Sequence, residues 1–520
     1  MRKLFWLRIV RICISLLFLL LTGIIFLDPA QWIPAWVTQA VTWAQFTPSL
    51  IKFMHNTAWI ATGFIVFLVL TLLFGRLYCS SVCPIGTLQD IINWLQRKIS
   101  KPKTLKYALA NNILRYAILA LTVIFFIAGS SLLVNLLDPY SNFGRIMNNL
   151  ARPAILTGGN RLAFVLEKND IFWMPKTILN HHALSIIFSG SFLLLIGWMS
   201  ATRGRLYCNT ICPVGALLGL ASKFSLFKIS INKASCNSCG RCAKVCKAQC
   251  IDVKTKEIDY SRCVSCYNCL DSCPDDGVLF NLNNKIKKSN HALAGSHDRR
   301  TMIKAFMLIA TFVSTRAFAT RLTGGAKPTN IAEDKKNVAS PPGSAGHQHF
   351  NDDCTACHLC VSVCPTHVLQ PSFLQYGLHG LMQPYMDYHA GFCNFECTLC
   401  GDVCPTGAIQ KILPEQKKLT QLGVAHFIKE NCVVFTDNTD CGACSEHCPT
   451  KAVNMIPYKD GLTIPAVDDK ICIGCGACEY ACPTKPYRAI FVEGNLLHTL
   501  ADEPVQEEII IKETTEDFPF

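Results

Sequence analysis

Thirty of the 520 residues are cysteine, and their spacing is the first pointer to chemistry. The pattern C-x2-C-x2-C-x3-C occurs at Cys236, Cys239, Cys242 and Cys246, and again at Cys263, Cys266, Cys269 and Cys273 before Pro274. It returns at Cys354, Cys357, Cys360 and Cys364 before Pro365, and at Cys472, Cys475, Cys478 and Cys482 before Pro483. Two variants keep only its end: Cys393, Cys397, Cys400 and Cys404 before Pro405, and Cys432, Cys441, Cys444 and Cys448 before Pro449. Three thiolates on one tight loop suit three corners of an iron–sulfur cubane, and the fourth reaches a partner cluster. This is the bacterial-ferredoxin signature for 4Fe–4S binding. Structural zinc uses separated C-x2-C pairs, and disulfides need no repeated 2-2-3 spacing. Six runs supply 24 iron ligands, enough for six 4Fe–4S clusters. Crossover pairs Cys236, Cys239 and Cys242 with Cys273, and Cys263, Cys266 and Cys269 with Cys246. Cys354-x-x-Cys357-His358 also matches a c-haem attachment pattern, but its cysteines belong to a complete ferredoxin run.

Four further cysteines lie in two copies of one element. Gly75-Arg76-Leu77-Tyr78-Cys79 leads to Cys83-Pro84, and Gly204-Arg205-Leu206-Tyr207-Cys208 leads to Cys212-Pro213. After each proline the apolar spacing becomes helical. Proline at the first helical position is favoured, so Cys83 and Cys212 are expected at helix N-termini, where thiol pKa falls. The four thiols, Cys79, Cys83, Cys208 and Cys212, suit a metal site or a redox pair; the alternative is a helix-turn device in which they only pack. Cys250 and Cys13 are left over, the first as a spare and the second as a packing thiol in an apolar run.

The surrounding chain is organised to place these sites around a membrane. Only 16% of residues are charged, and mean hydropathy is +0.28. Four uncharged apolar runs, Ile12–Leu27, Thr57–Phe74, Tyr116–Leu137 and Ala183–Thr202, approach the roughly 20 residues needed to span a bilayer. Residues 1–300 carry 33 basic and 12 acidic groups, and residues 301–520 carry 16 and 24. The basic groups flank apolar runs, which points to membrane topology rather than nucleic acid. They place the N-terminus, the loop after the second run and the segment after the fourth on the cytoplasmic side. The expected organisation is a four-span domain over 1–222, a two-cluster ferredoxin domain over 223–283, a linker and signal or anchor over 284–320, a flexible linker over 321–350, a four-cluster domain over 351–500, and an acidic tail over 501–520. Arg299-Arg300 before the short apolar run 305–315 reads either as a twin-Arg export signal or as a fifth anchor. Both place the second ferredoxin block outside the cytoplasm. The fold class is therefore membrane α-helical, with two α+β bacterial-ferredoxin-like modules.

Residues 1–280 resemble the NapH family, membrane ferredoxin-type proteins of periplasmic nitrate reduction. The resemblance rests on the four runs, the doubled G-R-x-x-C-x3-C-P element, Asp138-Pro139, Gly144-Arg145 and the two ferredoxin runs. Residues 298–500 resemble the exported NapG family through Arg299-Arg300, Glu430-Asn431-Cys432 and the closing run. Methylamine-utilisation ferredoxin-type proteins share these patterns. The resemblance implies a quinol-dehydrogenase module in anaerobic respiration, drawing on the membrane quinol pool and delivering electrons to a periplasmic reductase or carrier. Nested pairing of the last four runs, first with fourth and second with third, is what larger subunits of this type imply. A quinol needs a proton acceptor, and His55, His181 and His182 lie near the outer ends of the second and fourth runs. The competing class is a maturation or regulatory iron–sulfur protein that keeps a partner reductase active. No nucleotide-binding fingerprint appears.

Overall fold

The computed structural model describes residues 5–28, 32–55, 62–99, 107–109, 111–168, 183–282, 331–333 and 335–503. The signal-like segment at 299–319, His181, His182 and residues 504–520 of the tail lie outside these, as does the side chain of His55.

The N-terminal region is helical. α1 (Phe5–Leu27) leads to α2 (Ala35–Trp43), α3 (Phe46–His55) and α4 (Gly63–Phe74), and then to α5 (Leu77–Ser81) and α6 (Pro84–Ile99). α7 (Asn112–Ile127), α8 (Leu132–Leu137) and α9 (Pro139–Ile146) follow, and a π-helical turn at Met147–Ala151 joins α9 to α10 (Arg152–Glu167). α11 (Ala183–Arg203), α12 (Leu206–Thr210) and α13 (Pro213–Ser222) close the region. Among the described residues, α1 and α11 are long and apolar enough to cross a membrane. The second apolar run is described from Thr62, so α4 accounts for 12 residues of it. The third run, expected as one span over 116–137, is broken: α7 stops before Gly129 at φ +78°, and α8 restarts after Ser130 and Ser131. Ile14, Leu17 and Leu20 on α1, Ile124 and Ile127 on α7, and Ile187, Leu194 and Trp198 on α11 are all exposed. Cys13 shares that outward surface, so it is not a packing thiol.

The stretch after the third run turns inward. Every residue of α9 is buried. Asp138 starts the helix, its carboxylate accepting from the Ser141 N–H at 2.7 Å and the Ser141 hydroxyl at 2.8 Å. Pro139 at the first helical position reinforces that start.

Two small α+β modules flank the helices. In the first, β1 (Phe227–Ile231) pairs antiparallel with β4 (Val278–Leu282), and β2 (Ile251–Asp252) with β3 (Glu257–Ile258). In the second, β5 (Leu369–Pro371) pairs with β6 (Pro384–Met386), β7 (Thr420–Phe427) with β10 (Ile490–Leu500), and β8 (Val453–Pro457) with β9 (Thr463–Val467). The second module begins earlier than its sequence suggests. The Pro- and Gly-containing stretch expected as flexible linker is packed from residue 335 onward. Ser340 and Ser344 are fully buried. Ser340 also contacts His498 at 2.9 Å, and Gly343, at φ +87°, lies against the Gln410 carbonyl. Apolar burial by Ala339, Pro341 and Pro342 outweighs the turn-forming composition.

The modules dock at opposite ends of α1. Arg8 bonds Asp271 of the first module, whereas Phe26 shares a core with Cys357 and Leu359 of the second. Eighteen residues of α-helix separate these contacts by about 27 Å. Gly75 and Gly204, at φ +83° and +65°, end α4 and α11 where the first module sits: a Cβ on either would strike Ser265 or the Lys247 carbonyl.

Candidate functional site

The four regular ferredoxin runs curl in the same way. The second and fourth residues after the first cysteine are left-handed in each: Ser238 and Gly240, Ser265 and Tyr267, Ala356 and His358, Gly474 and Gly476. The run thereby turns three side chains toward one centre. His358 occupies one of these turning positions, with its ring against the Met382 carbonyl at 2.8 Å, so the haem-like match is part of a ferredoxin loop.

The thiols gather in fours. Cys236, Cys239, Cys242 and Cys273 line one pocket, and Cys246, Cys263, Cys266 and Cys269 line another, as crossover requires. Cys250 joins the second set, 3.5 Å from Cys246. In the second module Cys354, Cys357, Cys360 and Cys404 face one another, as do Cys393, Cys397, Cys400 and Cys364. Cys432, Cys441 and Cys444 face Cys482, and Cys472, Cys475 and Cys478 face Cys448. Pairing is therefore first with second and third with fourth. The nested order implied by the resemblance is corrected: each hairpin-sized unit closes on its neighbour in sequence.

These sets fit iron–sulfur clusters. Backbone N–H groups point at the sulfurs: Gly277 to Cys273 at 3.2 Å, Ala356 to Cys354 at 3.4 Å, Ile409 to Cys404 at 3.4 Å and Ala489 to Cys482 at 3.4 Å. Such donors favour the thiolate over the thiol. Among the described residues, the one trio whose ligand atoms all lie within 4.8 Å is Glu333, His389 and Glu479, so no three sulfurs close that tightly. A single tetrahedral zinc wants sulfurs about 3.8 Å apart, given Zn–S near 2.3 Å. The wider spacing suits a cubane. The trio itself is an ion-pair cluster, with Lys335 bridging Glu333 and Glu479.

Contacts link neighbouring sets. The Cys393 N–H donates to the Cys475 carbonyl at 2.9 Å, which joins the two halves of the second module. The Cys354 set meets the helical region at α9, where a Cβ on Gly144 would strike the Cys357 carbonyl. Tyr140 on the same helix packs with Cys357, while Phe143 packs with Cys79, Cys83, Cys208 and Cys212. Those four thiols are buried together just beyond α4 and α11. Arg76 and Arg205 stand between them and the Cys246 set; Arg76 bonds the Ser261 carbonyl at 3.2 Å, and Arg205 takes the Lys247 carbonyl on its backbone N–H at 3.0 Å.

Cys212 is the N-cap of α13, as expected, its sulfur accepting from the Gly215 N–H at 3.3 Å. The expected fall in thiol pKa is not found. Burial pushes Cys83 and Cys212 well up and Cys208 to about 11, and neighbouring thiols add to the rise. Desolvation of a fully buried thiolate outweighs one helix terminus.

Asp90 on α6 was not singled out in the sequence. It meets Arg11 at 3.3 Å, Arg205 at 2.8 Å and Lys247 at 3.0 Å. Burial raises its carboxyl, but these cations outweigh that and hold it well below the usual range. A lone aspartate on an amphipathic helix gives no signal of such a role.

Comparison with known proteins agrees with the thiol geometry. A family described as "4Fe-4S binding domain" matches residues 56–102 and 185–232. Families described as "4Fe-4S dicluster domain" match 259–368, 353–409 and 439–485. The first of these three runs from one module into the other, although the two have separate cores. The chain is similar to the YccM protein of Escherichia coli (27% identical, over 41% of this chain and 53% of that one). It is also similar to the ferredoxin-type protein NapH of Escherichia coli (28%; 43% and 68%) and to the methylamine utilization ferredoxin-type protein MauN of Paracoccus denitrificans (26%; 33% and 48%). The chain thus spans about half the length of YccM and MauN. No solved structure matches. The chain carries ferredoxin-type 4Fe–4S domains, and these relatives support a role in electron transfer.

Proposed function

We propose that the protein is a membrane iron–sulfur protein that takes electrons from quinol and passes them across the bilayer to an acceptor outside. The observation that carries this reading is the pair of modules holding four-thiol sets, which dock at opposite ends of α1 and share cores with the helices between them. Clusters bound in these sets supply one-electron sites. Quinol oxidation releases two electrons and two protons, so the chain must accept electrons singly and provide a place for the headgroup. A cavity of about 700 Å³ between α1, α6 and the first module suits that need. Ile12, Leu16, Ile91 and Trp94 line its apolar side, and Arg11, Asp90 and Lys247 its polar side, next to the Cys266 set. This is the end opposite to the one suggested by His55 and the two histidines of the outer loop.

The membrane reading rests on α1 and α11, the exposed apolar faces and the basic flanks. Within it, α4 and the α7–α8 pair complete four crossings, the first module is cytoplasmic and the second periplasmic. The second module then serves a NapG-like role on the same chain. A periplasmic reductase of the nitrate-reductase kind is the acceptor class that the NapH and NapG resemblance supports.

The test uses the full chain in nanodiscs. Menaquinol should reduce the clusters of both modules, read by EPR under anaerobic conditions. Cys263→Ser should stop reduction of the second module while leaving that module's own signals reducible by dithionite. Absence of quinol-driven reduction in the parent protein would leave a maturation role as the better reading.

A further inference from the structure

We propose that a basic cavity beside the first module binds the phosphate headgroup of an anionic phospholipid. The proposal goes beyond electron transfer: it rests on the membrane reading of α1 and α11, and not on quinol as the donor.

The cavity measures about 300 Å³. Parts of the chain far apart in sequence meet around it. Asn111, Asn112 and Leu114 come from the start of α7, Arg203 from the end of α11, and Gln249 and Arg262 from the first module. The Ala108 N–H, on the lead-in to α7, holds the Gln249 carbonyl at 3.4 Å. The cavity shares no lining residue with the larger one between α1 and α6.

Its charge is one-sided. Arg203, Arg205 and Arg262 line it, and no acidic residue is among the described residues that do. Arg205 is already matched by Asp90 at 2.8 Å, so it calls for no further anion. The other two differ. Arg203 is exposed in the last turn of α11, and no ion pair reaches it among the described residues. Arg262 is buried. Its Nε meets Asp259 at 2.7 Å and its Nη1 donates to the Ala108 carbonyl at 2.7 Å, which fixes the plane of the guanidinium. Its charge is thus met, but not all of its donors: Nη2 is buried without a described partner. A buried donor left unbonded is destabilising. The group that suits a half-used guanidinium fork is an anionic oxygen, as on phosphate.

The start of α7 brings donors of a second kind. The helix has 16 residues, and the Asn111 side chain caps it by accepting from the Leu114 N–H at 3.2 Å. That satisfies one of the four N–H groups a helix leaves open at its start. The rest give the wall formed by Asn111 and Asn112 the positive end of the helix dipole, where an anion is stabilised.

The surroundings decide the source of the phosphate. Leu109 is 88% exposed, and Ile113 and Leu114 are exposed beside it. Leu109 and Leu114 also line the cavity, so the polar pocket opens onto an apolar strip. A free phosphate uses the first and leaves the second bare. A lipid uses both, with its headgroup inward and its acyl chains along α7. Basic pockets between membrane helices on the cytoplasmic side suit such headgroups, and that is the side on which the basic flanks place the first module. Bound there, the lipid ties α7 and α11 to Gln249 and Arg262.

Full-length protein, purified in detergent and stripped of lipid, tests this by native mass spectrometry and hydrogen exchange. Phosphatidylglycerol should fill one saturable site, roughly tenfold tighter than phosphatidylcholine, and should protect residues 111–115 and 246–262. Arg203→Glu changes an exposed side chain, so it should fold normally and lose roughly tenfold or more of that affinity. Arg262→Gln should weaken binding too, with the first module's clusters retained; if it sheds them, Arg203→Glu alone decides. Equal binding of the two lipids, or unchanged binding by Arg203→Glu, would overturn the proposal. Inorganic phosphate that gives the same protection at the same concentration would overturn the lipid assignment in favour of a free anion. Protein that binds the lipid but is not reduced by menaquinol keeps this inference and sinks the proposed function. Protein that menaquinol reduces, but that has no lipid preference, does the reverse.

Discussion

The two junctions of the helical region are built from different forces. At the end that meets the first module, charge dominates: Asp90 gathers Arg11, Arg205 and Lys247, and Arg76 and Arg115 reach across to Ser261. At the other end the contact is mainly apolar, with one buried cation, Arg152, reaching the Ser362 carbonyl. Phe26, Tyr140 and Leu359 form its core, Ser131 donates to the Asn351 carbonyl at 2.7 Å, and Gln383 returns a bond to Ser131 at 3.2 Å. The difference has a consequence for electrons. Buried cations near a cluster favour its reduced form; Lys247 and Arg11 act on Cys266, whereas on Cys357 Arg145 is opposed by Asp138, so the Cys266 set should hold electrons more readily than the Cys357 set. It also divides the molecule mechanically: one module is held by a network that fails when a charge is removed, the other by shape.

The largest effect should come from the charged end. Asp90→Asn leaves Arg11, Arg205 and Lys247 with no anion between them. Breaking a buried ion pair by removing one partner costs about 3–5 kcal/mol, and here three partners are stranded. The variant should lose protection of residues 223–282 in hydrogen exchange and shed the first module's clusters, while residues 351–500 exchange as before. Equal loosening of both modules would mean that Asp90 supports the whole helical region rather than one junction.

Phe26→Ala is the matching change at the apolar end. The ring is fully buried, tilted against Tyr140 at 5.9 Å between centroids. Its loss should cost about 3 kcal/mol, mostly through the cavity it leaves. Protease cleavage in the second module should rise in nanodisc-bound protein, with little dependence on salt. The first module should stay protected. A salt-sensitive defect would show that the junction is electrostatic after all.

How far the sequence reveals this depends on the range of the contacts. The spacing within each cysteine run is local, so the four-thiol loops and the crossover in the first module follow from it. Pairing among the last four runs depends on which neighbours pack, and the nested expectation failed there. The apolar runs name α1 and α11 correctly, but Gly129 with Ser130 and Ser131 divides the third, because those serines serve the second module rather than a continuous helix. The doubled G-R-x-x-C-x3-C-P element was visible; that its copies exchange arginines, Arg76 onto the Cys208 carbonyl and Arg205 onto the Cys79 carbonyl, was not, since residues 76 and 208 are joined only by the fold. Gly86 and Gly215, each three residues after the second cysteine of its copy, extended the repeat in plain sight. Burial, which no spacing reports, reversed the expected direction of the thiol shifts.

The smallest effect separates the junctions by pH. Residues 335–350 strap onto the second module and lead through Asn351 to Ser131 at the apolar end. His498 fastens that strap, its ring against Ser340 at 2.9 Å and its backbone N–H on the Ala345 carbonyl at 3.2 Å. Burial, with nearby His347 adding to it, lowers this histidine from 6.5 to about 4. A base whose folded pKa is depressed gives stability that is complete above the unfolded value and is lost as pH falls toward the folded one. The strap should therefore loosen between about pH 6.5 and 4, by roughly 3 kcal/mol at the acid end. Asp90, held far below the usual carboxylate range, stays ionised across that window, so the charged junction should not respond. Hydrogen exchange of 335–350 at pH 7.5 and 5 measures the difference, and His498→Gln should remove it. Loosening that persists in His498→Gln would assign the acid response to another group, and loosening of residues 223–282 over the same range would erase the contrast between the two ends.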